Sequence, residues 1–97
     1  MILHTLNKSP SNEALSEQLS QVIQADDQVI LLEDGVYHSL LENNDTSHWL
    51  GIAAHVHALN DDLKARGLTS NNLAIKTIDY ADFVRLSSEC DKVIAWY

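Results

Sequence analysis

The chain has 97 residues, of which 45% are hydrophobic, and its fourteen acidic and six basic side chains give a formal net charge of −8. Affinity for nucleic acids and anionic membranes comes largely from Lys and Arg that neutralise phosphates, so this balance argues against direct binding of either. A single cysteine excludes an internal disulfide framework and fits a reducing cytoplasm.

The length predicts one domain, spanning residues 1–97, whose layers are thin enough that a partner chain is expected. No apolar run approaches the roughly 20 residues that a membrane span requires. The opening MILHTLNKSP lacks the basic region and long apolar core of a signal peptide. We therefore expect a cytoplasmic protein.

Strands and helices alternate from the start of the chain. Ile2 to Leu6 is predicted to be the first strand. Ser9 and Pro10 then supply a capping hydroxyl and a proline at the first helical position, which predicts a helix over residues 10 to 25. Val29 to Leu32 is an unbroken apolar run, and it suits a central strand covered on both faces.

The middle of the chain continues this alternation. The acid-acid-glycine step at residues 33–35 turns the chain, and Asp34 is expected to cap the short helix that follows. A third strand is predicted over Ile52 to Leu59. Its alternation places His55 and His57 on one side and the aliphatic residues on the other.

Two more helices are predicted in the last third. Asn60 is expected to cap the first, which ends at Arg66 and Gly67 because glycine readily adopts positive φ. Asp79 is expected to cap the second. The apolar face of this second helix is predicted to contain Tyr80, Phe83 and Val84.

The two remaining strands are predicted over Leu73 to Ile78 and Lys92 to Trp96. The order β-α-β-α-β-α-β-α-β predicts an α/β fold of three layers, with helices on both faces of a mostly parallel five-stranded sheet. The pattern leaves the order of the strands within that sheet open.

Common motifs for nucleotides and covalent catalysis are missing from the sequence. It contains no G-x-G-x-x-G, no G-x-x-x-x-G-K-[ST], no C-x-x-C and no G-x-S-x-G. With three glycines in total, no loop can cradle a phosphate through successive backbone amides. We therefore predict no bound cofactor.

Cys90 is the only possible sulfur nucleophile. A reactive thiol needs a lowered pKa, usually from nearby bases or a helix amino terminus. Cys90 instead lies between Glu89 and Asp91 at the expected end of a helix, where both the charges and the helix dipole disfavour the thiolate. We interpret it as a packed residue without a catalytic role; the alternative is a persulfide carrier.

The histidines of the sequence are weak evidence for a metal site. His55 and His57 could pair on a metal with His48 nearby in sequence, but no third ligand is identifiable. We predict no metal. His4 lies within an apolar strand and is interpreted as a core histidine with its hydrogen bonds satisfied. Glu33 and Asp34 end the central strand, where α/β proteins often place their sites, but a helix cap and a solvated acid explain them.

Four segments together resemble the TusB/DsrH family: ILHTLNKSP, LLEDGVY, ALNDDLKARGL and IDYADFVRLSSECDKVIAW. They follow in order over nearly the whole chain, which makes the resemblance more specific than any single motif. It implies a DsrE-like fold and a subunit of a cytoplasmic sulfur relay.

The resemblance also implies partners. It suggests assembly with TusC-like and TusD-like subunits, two copies of each, in a heterohexamer that takes persulfide sulfur from a TusA-like donor. A TusE-like acceptor then carries the sulfur towards 2-thiouridine at the tRNA wobble position. DsrH is the counterpart in sulfur-oxidising bacteria, so a role in sulfur oxidation stays open.

Family cysteines transfer poorly to this sequence. The principal cysteine of the relay belongs to the TusD/DsrE subunit. Some DsrH proteins carry another in the first helix, and the matching residue here is Gln18, so that role is not carried over. We expect a non-catalytic subunit whose aromatic end, Trp96 and Tyr97, lies against another chain, since such side chains anchor interfaces.

Overall fold

The computed structural model describes residues 1–40, 49, 52–53, 55–69 and 75–96. Within these ranges, five strands form one sheet: β1 (Ile2–Leu6), β2 (Gln28–Leu31), β3 (His55–Leu59), β4 (Ile75–Ile78) and β5 (Lys92–Trp96). The helices are α1 (Glu13–Val22), a 3₁₀ helix (Glu33–Leu40), α2 (Asn60–Ala65) and α3 (Tyr80–Glu89). None of these described helices has the length and apolar character needed to cross a membrane.

The strands lie in the order β4-β3-β2-β1-β5, and every neighbouring pair is parallel. From β1 to β4 the chain steps in one direction. Right-handed crossovers therefore place α1, the 3₁₀ helix and α2 on the same face. The last connection returns across the sheet to β5, which puts α3 on the opposite face. The predicted three-layer α/β fold is confirmed.

The core divides between the two faces of the sheet. The larger cluster, under three helices, comprises Leu6, Leu15, Leu19, Ile23, Val29, Leu31, Val36, Trp49, Val56, Ala58, Leu63 and Ile75. The smaller cluster, under α3, comprises Leu3, Ile30, Ile78, Leu86 and Cys90. Among the described helices, one covers a face and three cover the other, and on the α3 side described side chains such as Val93 and Ala95 of β5 stay exposed, so we call that face partly open.

The first helix begins later than the sequence predicted. Residues 10–11 form a turn, in which the Asn12 amide donates to the carbonyl oxygen of Ser9 at 3.1 Å. The side chain of Asn12 then caps α1 by accepting from the amide of Leu15 at 3.2 Å. The prediction of Ser9 and Pro10 as the helix start was wrong, because the cap three residues later holds the first turn.

The third strand is shorter than predicted and begins at His55. Ile52 and Ala53 belong to a turn, and their amides donate to the carbonyl oxygen of Trp49 at 3.1 and 3.0 Å. The fourth strand begins at Ile75; the predicted residues 73–74 lie outside the described residues.

The structure confirms one of the two predicted helix caps in α2 and α3. Asn60 is the first residue of α2 and not its cap, whereas Gly67 has the expected positive φ of 64° after the helix. Asp79 caps α3 as predicted, in a capping box with Asp82. The predicted apolar face of α3 was partly wrong: the buried side chain is Leu86.

Two large side chains of α3 face solvent. Tyr80 is 60% exposed and Val84 is 51% exposed, although both were predicted to be on the apolar face. Phe83 packs partly buried against the smaller cluster. Because one helix lies across this face, it can turn only a narrow stripe inward.

Gly35 allows the 3₁₀ helix to lie directly on the end of β1. A Cβ atom at this position would collide with the carbonyl oxygen of Leu6 and come within 3.3 Å of the Cα of Asn7. Both are backbone atoms, so neither can move aside without shifting β1. Gly67 differs, because a Cβ there would meet no atom within 4 Å and would be opposed only by its positive φ.

We expect Gly35→Ala to lower the free energy of unfolding by about 2–4 kcal/mol, as a steric clash in a packed site does. Gly67→Ala is the matched control and should cost about 1 kcal/mol, from backbone conformation alone. Urea unfolding of both variants measures the difference. Equal losses would contradict the close packing of the 3₁₀ helix on β1.

Candidate functional site

A buried pair of polar side chains joins β1 to the turn before β2. The Asp27 Oδ2 atom accepts from His4 Nε2 at 2.9 Å and from the Gln24 amide at 3.0 Å. Its Oδ1 atom accepts from the Ile2 amide at 3.0 Å. His4 is fully buried and Asp27 is 2% exposed. The interpretation of His4 as a core histidine with satisfied hydrogen bonds is confirmed.

Trp96 extends this pair to the last strand. Its Nε1 donates to His4 Nδ1 at 3.0 Å. An indole N–H can only donate, so Nδ1 of His4 must be the acceptor and Nε2 must carry the proton given to Asp27. This arrangement orders the imidazole as catalytic Asp–His pairs do, but its other nitrogen meets an indole and not a nucleophile. We conclude that it is structural.

The environment of Asp27 favours its charged form. Burial alone would raise the pKa of this carboxyl group. The hydrogen bonds from His4, Gln24 and Ile2 outweigh burial, so the pKa of Asp27 is lowered from its ordinary value of 3.8. Because the folded pKa is the lower one, Asp27 stabilises the fold above its ordinary pKa. That stabilisation is lost as the pH falls towards the folded value.

Trp96 is engaged within its own chain. Besides its bond to His4, the indole packs against the larger core cluster. Removing Trp96 would therefore expose part of the core and leave His4 Nδ1 without a partner, so this residue also supports the fold of its own chain. Tyr97 lies outside the described residues.

The acids after β2 are held by α2 and its end. The backbone amide of Glu33, at a positive φ of 51°, donates to Asp62 Oδ2 at 2.8 Å. Asp34 was predicted to cap the helix, and this was wrong: its carboxylate accepts a hydrogen bond from Arg66 Nε at 3.0 Å. The pairing with Arg66 fixes the turn, and the side chains of Glu33 and Asp34 are exposed. The Asp34 carboxylate thus has a structural role in its ion pair with Arg66, and Glu33 contributes its backbone amide while its side chain is solvated.

The histidines of β3 lie on the α3 side of the sheet, as predicted. His57 is buried and its Nε2 donates to Gln28 Oε1 at 2.9 Å. Burial first, and then the charges of His55 and Lys76, lower the pKa of His57. His55 is exposed, with its ring centroid 6.2 Å from that of His57.

No group of three or more metal-ligating side chains exists among the residues that the structure describes. His48 lies outside them. Lys76 sits opposite His57 in the sheet register, and its positive charge opposes a bound cation. The absence of a metal stays a prediction.

Cys90 lies at the carboxyl end of α3, where its amide donates to the carbonyl oxygen of Leu86 at 3.1 Å. Its side chain is 9% exposed and packs in the smaller cluster. Burial raises the pKa of the thiol. The amino-terminal charge opposes this shift, and Asp91 and Glu89 add to it. These surroundings favour the protonated thiol over the nucleophilic thiolate.

Comparison with known proteins shows the family of this chain. The family model described as DsrH like protein matches residues 8–93. The TusB proteins of Pectobacterium parmentieri and Escherichia coli K12 are each 38% identical to it over 98 residues, which cover 98% of this chain and the whole of each relative. The chain belongs to the DsrH/TusB family.

A solved structure agrees on the fold. The solution NMR structure of a Thermotoga maritima protein matches with a TM-score of 0.68 at 24% identity, covering 92% of this chain and 93% of that one. At this identity the likeness concerns the fold alone, and it agrees with the α/β architecture of five strands and flanking helices described above.

Sequence reasoning missed several buried residues of this DsrH/TusB chain. No contact was predicted for Asp27, although it holds His4. His38 and Trp49 are fully buried but were assigned no place in the core. A histidine within an apolar strand signals the need for a buried partner. Nothing in the local pattern identifies that partner, which lies 23 residues away.

We expect Asp27→Asn to lower the free energy of unfolding at neutral pH by about 3 kcal/mol, as loss of one member of a buried, hydrogen-bonded pair does. The loss should shrink as the pH falls below 3.8, where the wild-type carboxylate loses its own advantage. Asp26→Asn is the control, because that side chain is 75% exposed.

Urea unfolding of wild type and both variants between neutral and acid pH tests this. An Asp27→Asn loss that did not depend on pH would contradict the stabilising role of the charged carboxylate.

Proposed function

We propose that this chain is a non-catalytic subunit of a sulfurtransferase complex, a sulfur relay that supports 2-thiouridine formation at the tRNA wobble position. The DsrH/TusB family is part of such a relay, and the match to TusB proteins over the full length of the chain is the observation that carries the proposal. That match favours tRNA thiolation over the sulfur-oxidising role of DsrH.

The state of Cys90 supports a non-catalytic role. A relay step requires a thiolate that attacks the incoming persulfide, and the thiolate fraction follows the local pKa. Cys90 is the only cysteine of the chain. Its pKa is raised and its sulfur is packed beneath α3. The reactive cysteine is therefore assigned to a TusD-like partner.

The proposed partners are TusC-like and TusD-like subunits in a cytoplasmic heterohexamer, which a TusA-like donor loads and a TusE-like acceptor unloads. The partly open face of the sheet supports such assembly. On that side of the molecule, Val93 of β5 is 45% exposed, and Tyr80 and Val84 on the outer side of α3 are 60% and 51% exposed. Large exposed apolar side chains are common where a partner chain binds.

We expect Cys90→Ser and Cys90→Ala to leave sulfur transfer by the reconstituted complex nearly unchanged, because no step passes through this thiol. Radiolabelled sulfur passed from donor to acceptor is the readout. Replacing the cysteine of the TusD-like subunit is the positive control and should abolish transfer. Native mass spectrometry confirms that each complex is intact.

Two Cys90 variants are used because serine places a hydroxyl in a buried site, whereas alanine only removes volume. A loss of ten-fold or more in both, with the complex intact, would correspond to about 1.4 kcal/mol of transition-state stabilisation. That result would replace the non-catalytic subunit with a persulfide carrier.

We expect the isolated chain to show no binding of tRNA at physiological salt, because its six basic residues are outnumbered by fourteen acids. Gel-shift titration at micromolar protein measures this, with a basic tRNA-binding protein as positive control. A shift that weakens as salt is raised would show phosphate contacts and contradict the proposal.

A further inference from the structure

The strand order places β5 at one edge of the sheet and β4 at the other. β5 pairs with β1 along its whole length, from Lys92 beside Ile2 to Trp96 beside Leu6. Within the described part of the chain, no strand lies on its other side. An edge strand presents a row of backbone N–H and C=O groups along its free side, so β5 can accept a further strand.

The two edges differ in composition. Proteins usually protect a sheet edge with charged side chains, proline or a covering segment. In β4, Lys76 and Thr77 are exposed and place a charge and a hydroxyl group in the middle of the strand. In β5 the only charged residue is Lys92 at its start, and Val93 to Trp96 are uncharged and all at least partly exposed. β5 therefore lacks the charge that protects β4.

The side chains of β5 alternate between the two faces of the sheet. The register with β1 puts Val93 beside Leu3, which belongs to the smaller cluster under α3. Val93 is 45% exposed on that face. Trp96 packs against the larger cluster, so Lys92 and Ile94 point to that opposite face as well.

We propose that two copies of this chain join their sheets through β5, in antiparallel pairing about a two-fold axis at Ile94. Pairing centred there sets all five residues of one strand opposite the five of the other and keeps every side chain on its own face. Val93 then lies opposite Ala95 of the second copy, which makes an apolar pair. Lys92 lies opposite Trp96 of the second copy, where an ammonium group meets an indole ring. The strand is complementary to itself, as a two-fold interface requires.

Charge near the edge decides whether two such acidic chains can meet. The net charge of −8 on each copy opposes self-association. Salt screens charges that are more than about 8 Å apart at physiological ionic strength, so the groups at the edge itself matter most. They are Lys92, opposite an aromatic ring, and Asp91, whose Oδ2 accepts from the amino-terminal nitrogen of Met1 at 2.9 Å. No acid lies opposite another among the five paired positions, and the pairing does not depend on the proposed sulfur relay.

Sedimentation velocity of the isolated full-length chain at micromolar concentration tests the proposal, and the wild type should sediment as a dimer. Ile94→Lys sets two ammonium groups against each other at the axis and should weaken dimerisation at least ten-fold. Val84→Lys is the matched control, because it puts the same charge on an apolar side chain of α3 that is 51% exposed, and it should leave the dimer intact. Circular dichroism confirms that both variants are folded.

A monomeric wild type, or equal weakening by the two variants, would overturn the proposal. A wild type that is monomeric alone and associates only with partner subunits would assign the edge to a different chain, and self-pairing would fail.

Hydrogen exchange on the unmodified protein gives a second reading that does not depend on how a variant folds. The amides of β5 that point away from β1 should exchange more slowly as the protein concentration rises, because the second copy covers them. The amides of β4, at the opposite edge, should not change. Exchange at β5 that is independent of concentration, or slower exchange at β4 instead, would contradict the pairing.

Discussion

The hydrogen-bonded series from Trp96 through His4 to Asp27 ties together the parts of the fold that the chain order separates. β1 pairs with β2 on one side and with β5 on the other, although β5 is the last strand in sequence. The series runs across this junction and satisfies every polar atom of the His4 ring. Buried polar pairs contribute little net stability over apolar packing, but they penalise a shifted register strongly.

The strand order also sets how the protein can act. Three helices cover one face, and α3 alone covers the other, so a domain of this size leaves exposed apolar side chains around α3 and β5. The only thiol is packed inside that smaller layer and is held in its protonated form. The exposed apolar side chains and the buried thiol of Cys90 are the two features on which the proposed supporting role in a larger assembly rests.

Much of the fold could be predicted from local signals in the sequence. The alternation of elements gave the three-layer α/β architecture, and Asp79 gave a correct helix cap because its capping partner is three residues away. Contacts between residues far apart in sequence could not be predicted, because no local pattern identifies the partner. Gln28 and His57 are hydrogen-bonded across 29 residues, and His4 and Trp96 across 92. The family resemblance, and not any local motif, pointed to the proposed function, because the sequence contains none of the nucleotide-binding or nucleophile motifs that were sought.

The central claim is that sulfur passes through the assembly without resting on this chain. Intact-mass measurement of each subunit, after loading the complex from a persulfide donor, tests it most directly. We expect a mass gain of one sulfur atom on the TusD-like subunit and none on this chain. A persulfide on Cys90 that the acceptor then removes would contradict it.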